Sequence, residues 1–516
     1  MQSVSTHSFW QDTSSTPRFP ALDRDLRVDV VVVGGGVTGI TAAYLLSRSG
    51  QRVALLERGR LLERDTAHTS AHLTCVTDTR LTRLAKDLGR DHAGAVWDAG
   101  MAALGAIDEH VREEGIDCGF AWVPGYLHLP VGRITSADAD ALRADVALAR
   151  DLGFDAALCD RTPLVATPGL HLPDQARVHP LKYLAGLLQA ARQSHCDVFE
   201  MTQVESVEDD PPQVIANGRR VVCDRVIVAT HNPIAGADGF LKATAFQTKL
   251  ALYTSYVVGG HVPQGSVPDA LFWDTGDPYR YLRLVPGTGQ DLVIYGGEDH
   301  KTGQEPDTPE RFERLEQALK ALLPDTALSH RWSGQVIETH DGLPYIGETS
   351  ARQFVATGFG GNGLTFGTLG AIMATDWILG CDNPWSGLFD AGRTNLRHGI
   401  WNYIAENKDY PYYLVRDRFA GADGTNLRSI PRGEGRVIDL DGQRAAVYRA
   451  TDGSVTARSA VCTHMGCLVR WSAAGQSWDC PCHGSRFAPD GEVMAGPAEA
   501  ALSPVTRATG RDARQS

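Results

Sequence analysis

Arg27-Val28-Asp29-Val30-Val31-Val32-Val33-Gly34-Gly35-Gly36-Val37-Thr38-Gly39 decides how the first half of the chain folds. Its opening is a continuous β-branched run, the texture of a parallel strand buried on both faces. The run ends in G-x-G-x-x-G. Residues 40–49 have helix composition and stop at Gly50, and a second strand, Arg52 to Leu56, ends at Glu57. A lone G-x-G-x-x-G says little. Placed between strand and helix, with an acid about 20 residues on, it reads as a dinucleotide-binding βαβ unit. Gly34 permits the tight turn, Gly36 lets backbone approach a pyrophosphate, and Gly39 lets helix and strand pack closely. The helix N-terminus offers free N–H groups and a positive dipole end to phosphates. Glu57 is placed to accept from ribose hydroxyls and disfavours a 2′-phosphate. Arg58, next to it, joins the cofactor-contact candidates.

Near the other end stand Cys462-Thr-His464-Met-Gly-Cys467 and Cys480-Pro-Cys482-His483-Gly-Ser485. Cys and His at such spacings also bind zinc, but structural zinc sites favour C-x-x-C pairs, whereas each box here mixes Cys with His. The pattern resembles the Rieske [2Fe–2S] family. That resemblance implies that Cys462 and Cys480 ligate one iron, that His464 and His483 ligate the more exposed one, and that Cys467 and Cys482 form a disulfide between the two loops. It also implies that Ser485 donates to a cluster sulfur, that Phe487 replaces a tyrosine found in high-potential members, and that Gly496-Pro497-Ala498 covers the cluster. Mixed Cys/His ligation sets a potential of ~−150 to +300 mV, against ~−400 mV for an all-Cys plant-type cluster.

At 516 residues the length suggests about three domains. A net charge of −13 without a basic stripe disfavours a nucleic-acid partner. No apolar run reaches the ~18 residues of a membrane span. Residues 1–26, polar and rich in Ser and Thr, lack the pattern of a signal peptide and read as a flexible tail on a cytoplasmic protein. Six further cysteines are scattered without metal spacing and read as reduced core thiols.

Later motifs choose between FAD and NAD by resemblance. Val226-Ile-Val-Ala229-Thr230, Arg331-Trp332-Ser-Gly334, Thr339-His-Asp341-Gly342-Leu-Pro344-Tyr-Ile-Gly347 and Ala356-Thr-Gly358-Phe-Gly360-Gly361-Asn362-Gly363-Leu364-Thr365 resemble signatures of the D-amino-acid-oxidase-like flavoproteins. The resemblance implies FAD, with the last loop at the pyrimidine end of the flavin, where a helix N-terminus stabilises negative charge. Cofactor contacts are then expected from Gly34, Gly36, Gly39, Glu57, Arg58, His68, Thr69, Val204, Ala229, Thr230, Gly358, Gly361, Gly363, Leu364 and Thr365. His68 is also a candidate for covalent flavin attachment.

The expected architecture is an α/β FAD-binding Rossmann-type domain (27–98, 159–245 and 324–383), an α+β antiparallel-sheet substrate domain (99–158 and 246–323), a linker (384–430) with a helix from Asn395 to Glu406, and an all-β Rieske domain (431–516). Within the substrate domain, Tyr279, Tyr281 and Arg283 share one strand face. They are candidates to clamp a substrate carboxylate, because a guanidinium fork matches it bidentately; Lys249 and Tyr253 are placed similarly by analogy. The expected activity is FAD-dependent oxidation of a small amine or amino acid, with electrons passing singly through the Rieske cluster to an external acceptor protein. Alternatives are an oxygen-using oxidase with a structural or regulatory Rieske domain, a hydroxy-acid dehydrogenase, a redox carrier or sensor, and inward electron flow from an external donor protein through the cluster to the flavin. A Rieske oxygenase is disfavoured, because its boxes lack the extra cysteine pair.

Overall fold

The computed structural model describes residues 4–132, 134–232, 249–305, 307–393, 430–440 and 442–505. The expected helix from Asn395 to Glu406, and most of the expected linker, lie outside them. The chain divides into two compact units, residues 1–299 with 311–403, and residues 300–310 with 404–516. Residues 300–310, expected in the substrate domain, thus group with the C-terminal unit.

The first unit holds two large sheets. One is six-stranded, in the order Tyr345–Ser350, Gln353–Thr357, Arg225–Val228, Val30–Val33, Val53–Leu56, Cys196–Phe199. All its pairings are parallel except the outermost hairpin, Tyr345–Ser350 with Gln353–Thr357. Val30 to Val33 are all buried, as the β-branched run requires, and each such side chain contributes about 1.5–3 kcal/mol. The helix Val37–Arg48 follows the glycine turn, and a second long helix, Gly363–Leu379, packs against it. Glycines allow that approach: a Cβ on Gly367 would meet the Val37 side chain at 2.5 Å.

The second sheet contains nine strands among the described residues, most of them antiparallel. Leu250–Pro263, Arg280–Val285, Gln290–Lys301 and Ala327–Thr339 belong to it, matching the alternating pattern read in residues 246–323. The pleat breaks at Gly297 and Glu298, two consecutive residues with positive φ (135° and 59°).

The N-terminal segment corrects one expectation. It is not a loose tail: Ser8 caps a short helix, Phe9–Asp12, with a reciprocal capping box, and Trp10 is fully buried. Its indole Nε1 donates to the Thr69 carbonyl at 2.7 Å, and its ring meets His179 edge to face. One Trp embedded in a foreign core fixes a segment whose local sequence is polar.

In the second unit, residues 430–505 form a three-stranded and a four-stranded antiparallel sheet. Trp471 and Trp478 lie across the strand containing Gly435, where any Cβ would strike the Trp471 ring. Within the same unit, Gln304 Nε2 donates to the Pro481 carbonyl at 3.1 Å, and the Ala474 N–H to Thr308 Oγ1.

Candidate functional site: a dinucleotide cradle and a two-loop metal centre

The glycine turn behaves as its spacing predicts. Gly34 has φ +104°, and a Cβ there would overlap the Ala229 carbonyl oxygen. A Cβ on Gly39 would overlap the Gly34 carbonyl oxygen, so only glycine lets helix and turn meet. Gly36 is the N-cap of the Val37–Arg48 helix and supplies no side-chain cap. The first amides of that helix are therefore free to receive a phosphate. Glu57 accepts from the Gly35 N–H and the Gly59 N–H, both at 2.8 Å. Those bonds hold its carboxylate at the turn and leave each oxygen a further lone pair for a ribose hydroxyl. Arg58 follows it, half-buried.

The segment from Arg64 to Asp78 passes the turn and then meets the second glycine loop. A Cβ on Gly36 would lie 3.2 Å from Thr66 Oγ1. His68 Nδ1 bonds the Arg64 carbonyl at 2.9 Å, and Trp332 Nε1 donates to the His68 carbonyl at 3.0 Å. Thr69 is held by Trp10 through its carbonyl. Further on, Asn362 Nδ2 donates to the Val76 carbonyl at 2.8 Å, Thr365 Oγ1 to the Thr74 carbonyl at 3.1 Å, and the Gly361 N–H to Asp78 Oδ2 at 2.8 Å. Gly358 has φ +74°. Leu364 and Thr365 are buried in the first turn of the Gly363–Leu379 helix, whose N-cap Asn362 makes no side-chain cap. Val204 opens the Val204–Asp209 strand of a smaller sheet and is buried.

Two long helices thus present uncapped N-termini, and Asn232, two residues past Thr230, has both amide atoms buried without a partner among the described residues. Orphaned buried polar atoms and bare helix starts call for a polar, anionic ligand. FAD fits: its pyrophosphate suits the first N-terminus, its ribose Glu57, and the anionic edge of its ring the second.

Arg283, a candidate substrate clamp, is turned toward the protein's own backbone. It is 1% exposed and donates to the carbonyls of Ala71 and Val178, with its guanidinium over the Trp10 ring at 5.2 Å. Burial, with Arg177 nearby, pulls its pKa down to about 9. It lies between the substrate sheet and the Trp10 helix. Strand alternation assigns a face but cannot name the partners that meet it. Tyr279 and Tyr281 do stand together, centroids 6.0 Å apart, and Tyr281 also packs on His72. Lys249 lies over the Tyr345 ring at 5.2 Å.

Sequence reading missed the acidic residues beside those tyrosines. Asp299 lies next to Tyr279 and Ser255, and close to Asp78. Burial pushes its carboxyl up to about 6, and the Asp78 and Glu298 charges add to the rise. These residues come from distant parts of the chain, so no spacing motif announces them.

In the second unit the two ligand boxes converge. The His464 and His483 rings lie 4.9 Å apart, edge to face. Cys462 and Cys480 are buried and close enough for their thiols to interact. Cys467 and Cys482 form the disulfide that the resemblance implied, and Cys480 Sγ lies within 4.8 Å of both its sulfurs. Ser485 Oγ accepts the Ala498 N–H at 3.1 Å and stands beside Cys462, so its own proton is available to sulfur. Two thiols opposite two imidazoles, within one buried pair of loops, fit a Rieske [2Fe–2S] cluster.

Comparison with known proteins matches both regions to known families. Residues 29–377 match the FAD dependent oxidoreductase (DAO) family, and residues 425–506 the Rieske [2Fe-2S] domain. A protein of Bacillus subtilis strain 168, YhfW, named provisionally as a Rieske 2Fe-2S iron-sulfur protein, is 31% identical over 95% of this chain and 96% of its own length. The gamma-glutamylputrescine oxidoreductase of Escherichia coli K12 is 23% identical over 70% of this chain and 86% of its own. The crystal structure of glycine oxidase from Geobacillus kaustophilus superposes with a TM-score of 0.58 at 20% identity, covering 72% of this chain and 99% of the other, which shows the shared fold. Among the described residues no helix is long and apolar enough to cross a membrane. The chain belongs to the DAO family of FAD-dependent oxidoreductases and carries a C-terminal Rieske [2Fe–2S] domain.

Proposed function

We propose that this enzyme oxidises a small amine or amino acid and passes the electrons, one at a time, to an external carrier protein. The observation that carries the reading is the presence in one chain of a complete dinucleotide cradle and a complete Rieske ligand set. When bound, FAD supplies a two-electron acceptor and the [2Fe–2S] cluster a one-electron outlet. The chain's own residues do the holding. The Gly34–Gly39 turn and Glu57 fix the dinucleotide, the helix start at Gly363 favours negative charge on the reduced ring, and the Tyr279–Tyr281 face roofs the substrate. The substrate class is supported by relatives named for gamma-glutamylputrescine and glycine oxidation.

An anaerobic titration of the purified protein with amines, amino acids and hydroxy acids, followed by visible absorption and low-temperature EPR, tests this. Bleaching of the flavin by an amine or amino acid, then a Rieske-type signal, is expected. Bleaching by hydroxy acids alone, or bleaching with a cluster that stays oxidised, would sink the reading.

A further inference from the structure

We propose that the substrate site is built for a cationic amine, with Asp299 as the counter-charge to its ammonium group, and that it needs no carboxylate on the substrate. The inference rests on the functional reading above and names the substrate class within it.

Four observations meet here. First, Arg283, the arginine expected to clamp a carboxylate, turns its Nη1 to the carbonyls of Ala71 and Val178 and its plane to the Trp10 ring. Second, three other arginines of the substrate region, Arg280, Arg311 and Arg314, all converge on the buried Glu298, at 2.9, 3.6 and 3.3 Å. Third, among the described residues no cation matches Asp299: the charges that act on it, Asp78 and Glu298, are both negative, and its hydrogen bonds come from the neutral Ser255 and Tyr279. Fourth, Ser255, 6% exposed, lies within hydrogen-bonding reach of both Asp299 and Tyr281 and so joins the same cluster. A carboxylate largely withdrawn from water beside further carboxylates costs free energy to ionise unless a cation joins it.

The cluster adjoins the second glycine loop. Asp78 accepts the N–H of Gly361, in the glycine loop that precedes the second uncapped helix. Tyr279 lies among Asp299, Asp78 and Glu338, and Tyr281 packs on His72. The Tyr281 ring lies so flat on the Gln290–Lys301 strand that any Cβ on Gly296 would overlap it. Two tyrosine rings beside an unmatched carboxylate make a wall suited to an alkylammonium group.

The test uses the FAD-loaded protein and a matched pair of probes, tert-butylammonium and pivalate. They share a shape and differ in charge, and neither has hydrogen on the carbon that would be oxidised. Calorimetric titration is expected to show binding of tert-butylammonium and none of pivalate. Asp299→Asn should weaken the ammonium by about ten- to a hundredfold, the worth of one charged hydrogen bond. Affinity should also rise as pH is raised through about 6, as Asp299 ionises; Asp78, Glu298, Glu338, His72, Tyr279 and Tyr281 are the other titratable groups around it. Tighter binding of pivalate, binding of neither probe, or unchanged ammonium binding in Asp299→Asn overturns the inference. If Asp299→Asn does not fold, Ser255→Ala takes its place: weaker ammonium binding supports the inference, and unchanged binding overturns it. Flavin bleaching separates the two readings. Bleaching by amino acids alone, without ammonium binding, removes the cationic site and leaves the oxidoreductase reading. No bleaching by any donor removes the latter, while the probes still report which charge the site selects.

Discussion

The imidazole rings of His464 and His483 meet edge to face at 4.9 Å, although 18 residues of sequence separate them. Two loops bring them together, and the Cys467–Cys482 disulfide ties those loops beside the buried Cys462 and Cys480. Replacing His483 with Ala should abolish the Rieske EPR signal and leave FAD content unchanged. Flavin reduction by substrate should survive, while turnover with a one-electron acceptor collapses. Full turnover with that acceptor in a cluster-free protein would show that the cluster is not the outlet.

Potential tuning is a second, separable property. Ser485 receives the Ala498 N–H and keeps a proton for sulfur, whereas Phe487, fully buried, has none to give. Hydrogen bonds to cluster sulfurs stabilise the added electron and raise the potential. The midpoint should fall in Ser485→Ala and rise in Phe487→Tyr, read by redox titration of the EPR signal. A Phe487→Tyr midpoint that stays put or falls would contradict the assignment.

Arg283 offers a test of structural against substrate-binding roles. Arg283→Met keeps the bulk but strands the carbonyls of Ala71 and Val178. The expected loss is about 1–3 kcal/mol of stability, seen in chemical denaturation. KM for whichever substrate bleaches the flavin should change little relative to that loss. A large KM rise at unchanged stability would restore the clamp.

The parts legible in the sequence are those whose chemistry is local. The strand, glycine turn and helix around Gly34 lie within 22 residues, and each ligand box within six, so spacing alone carries their geometry. What escaped depends on long-range packing. Trp10 sits in a polar stretch and reveals its burial only through Thr69 and His179. Asp78, Ser255 and Asp299 come from three separate regions and are joined by sheet pairing and the Gly361 contact. Arg283 shows the limit of alternation: period two assigns a face, but whether that face meets a ligand or another segment is decided by what packs on it.

That lesson gives the last prediction, at Trp10. The helix Phe9–Asp12 is only four residues long and could not persist by itself. Its fixed point is the indole, which is fully buried, donates to Thr69 next to the cofactor segment, and lies under the Arg283 guanidinium. Trp10→Ala should therefore cost about 3–5 kcal/mol, the range for emptying a buried aromatic site. Because Thr69 adjoins His68 and the turn at Thr66, FAD should also be held less tightly. Trp10→Phe fills most of the space but cannot donate to Thr69, so it should recover stability more than FAD retention. Measuring the melting temperature and the flavin-to-protein absorbance ratio for both variants separates packing from positioning. Equal recovery of both by Phe would mean that the indole hydrogen bond plays no part in ordering the cofactor segment.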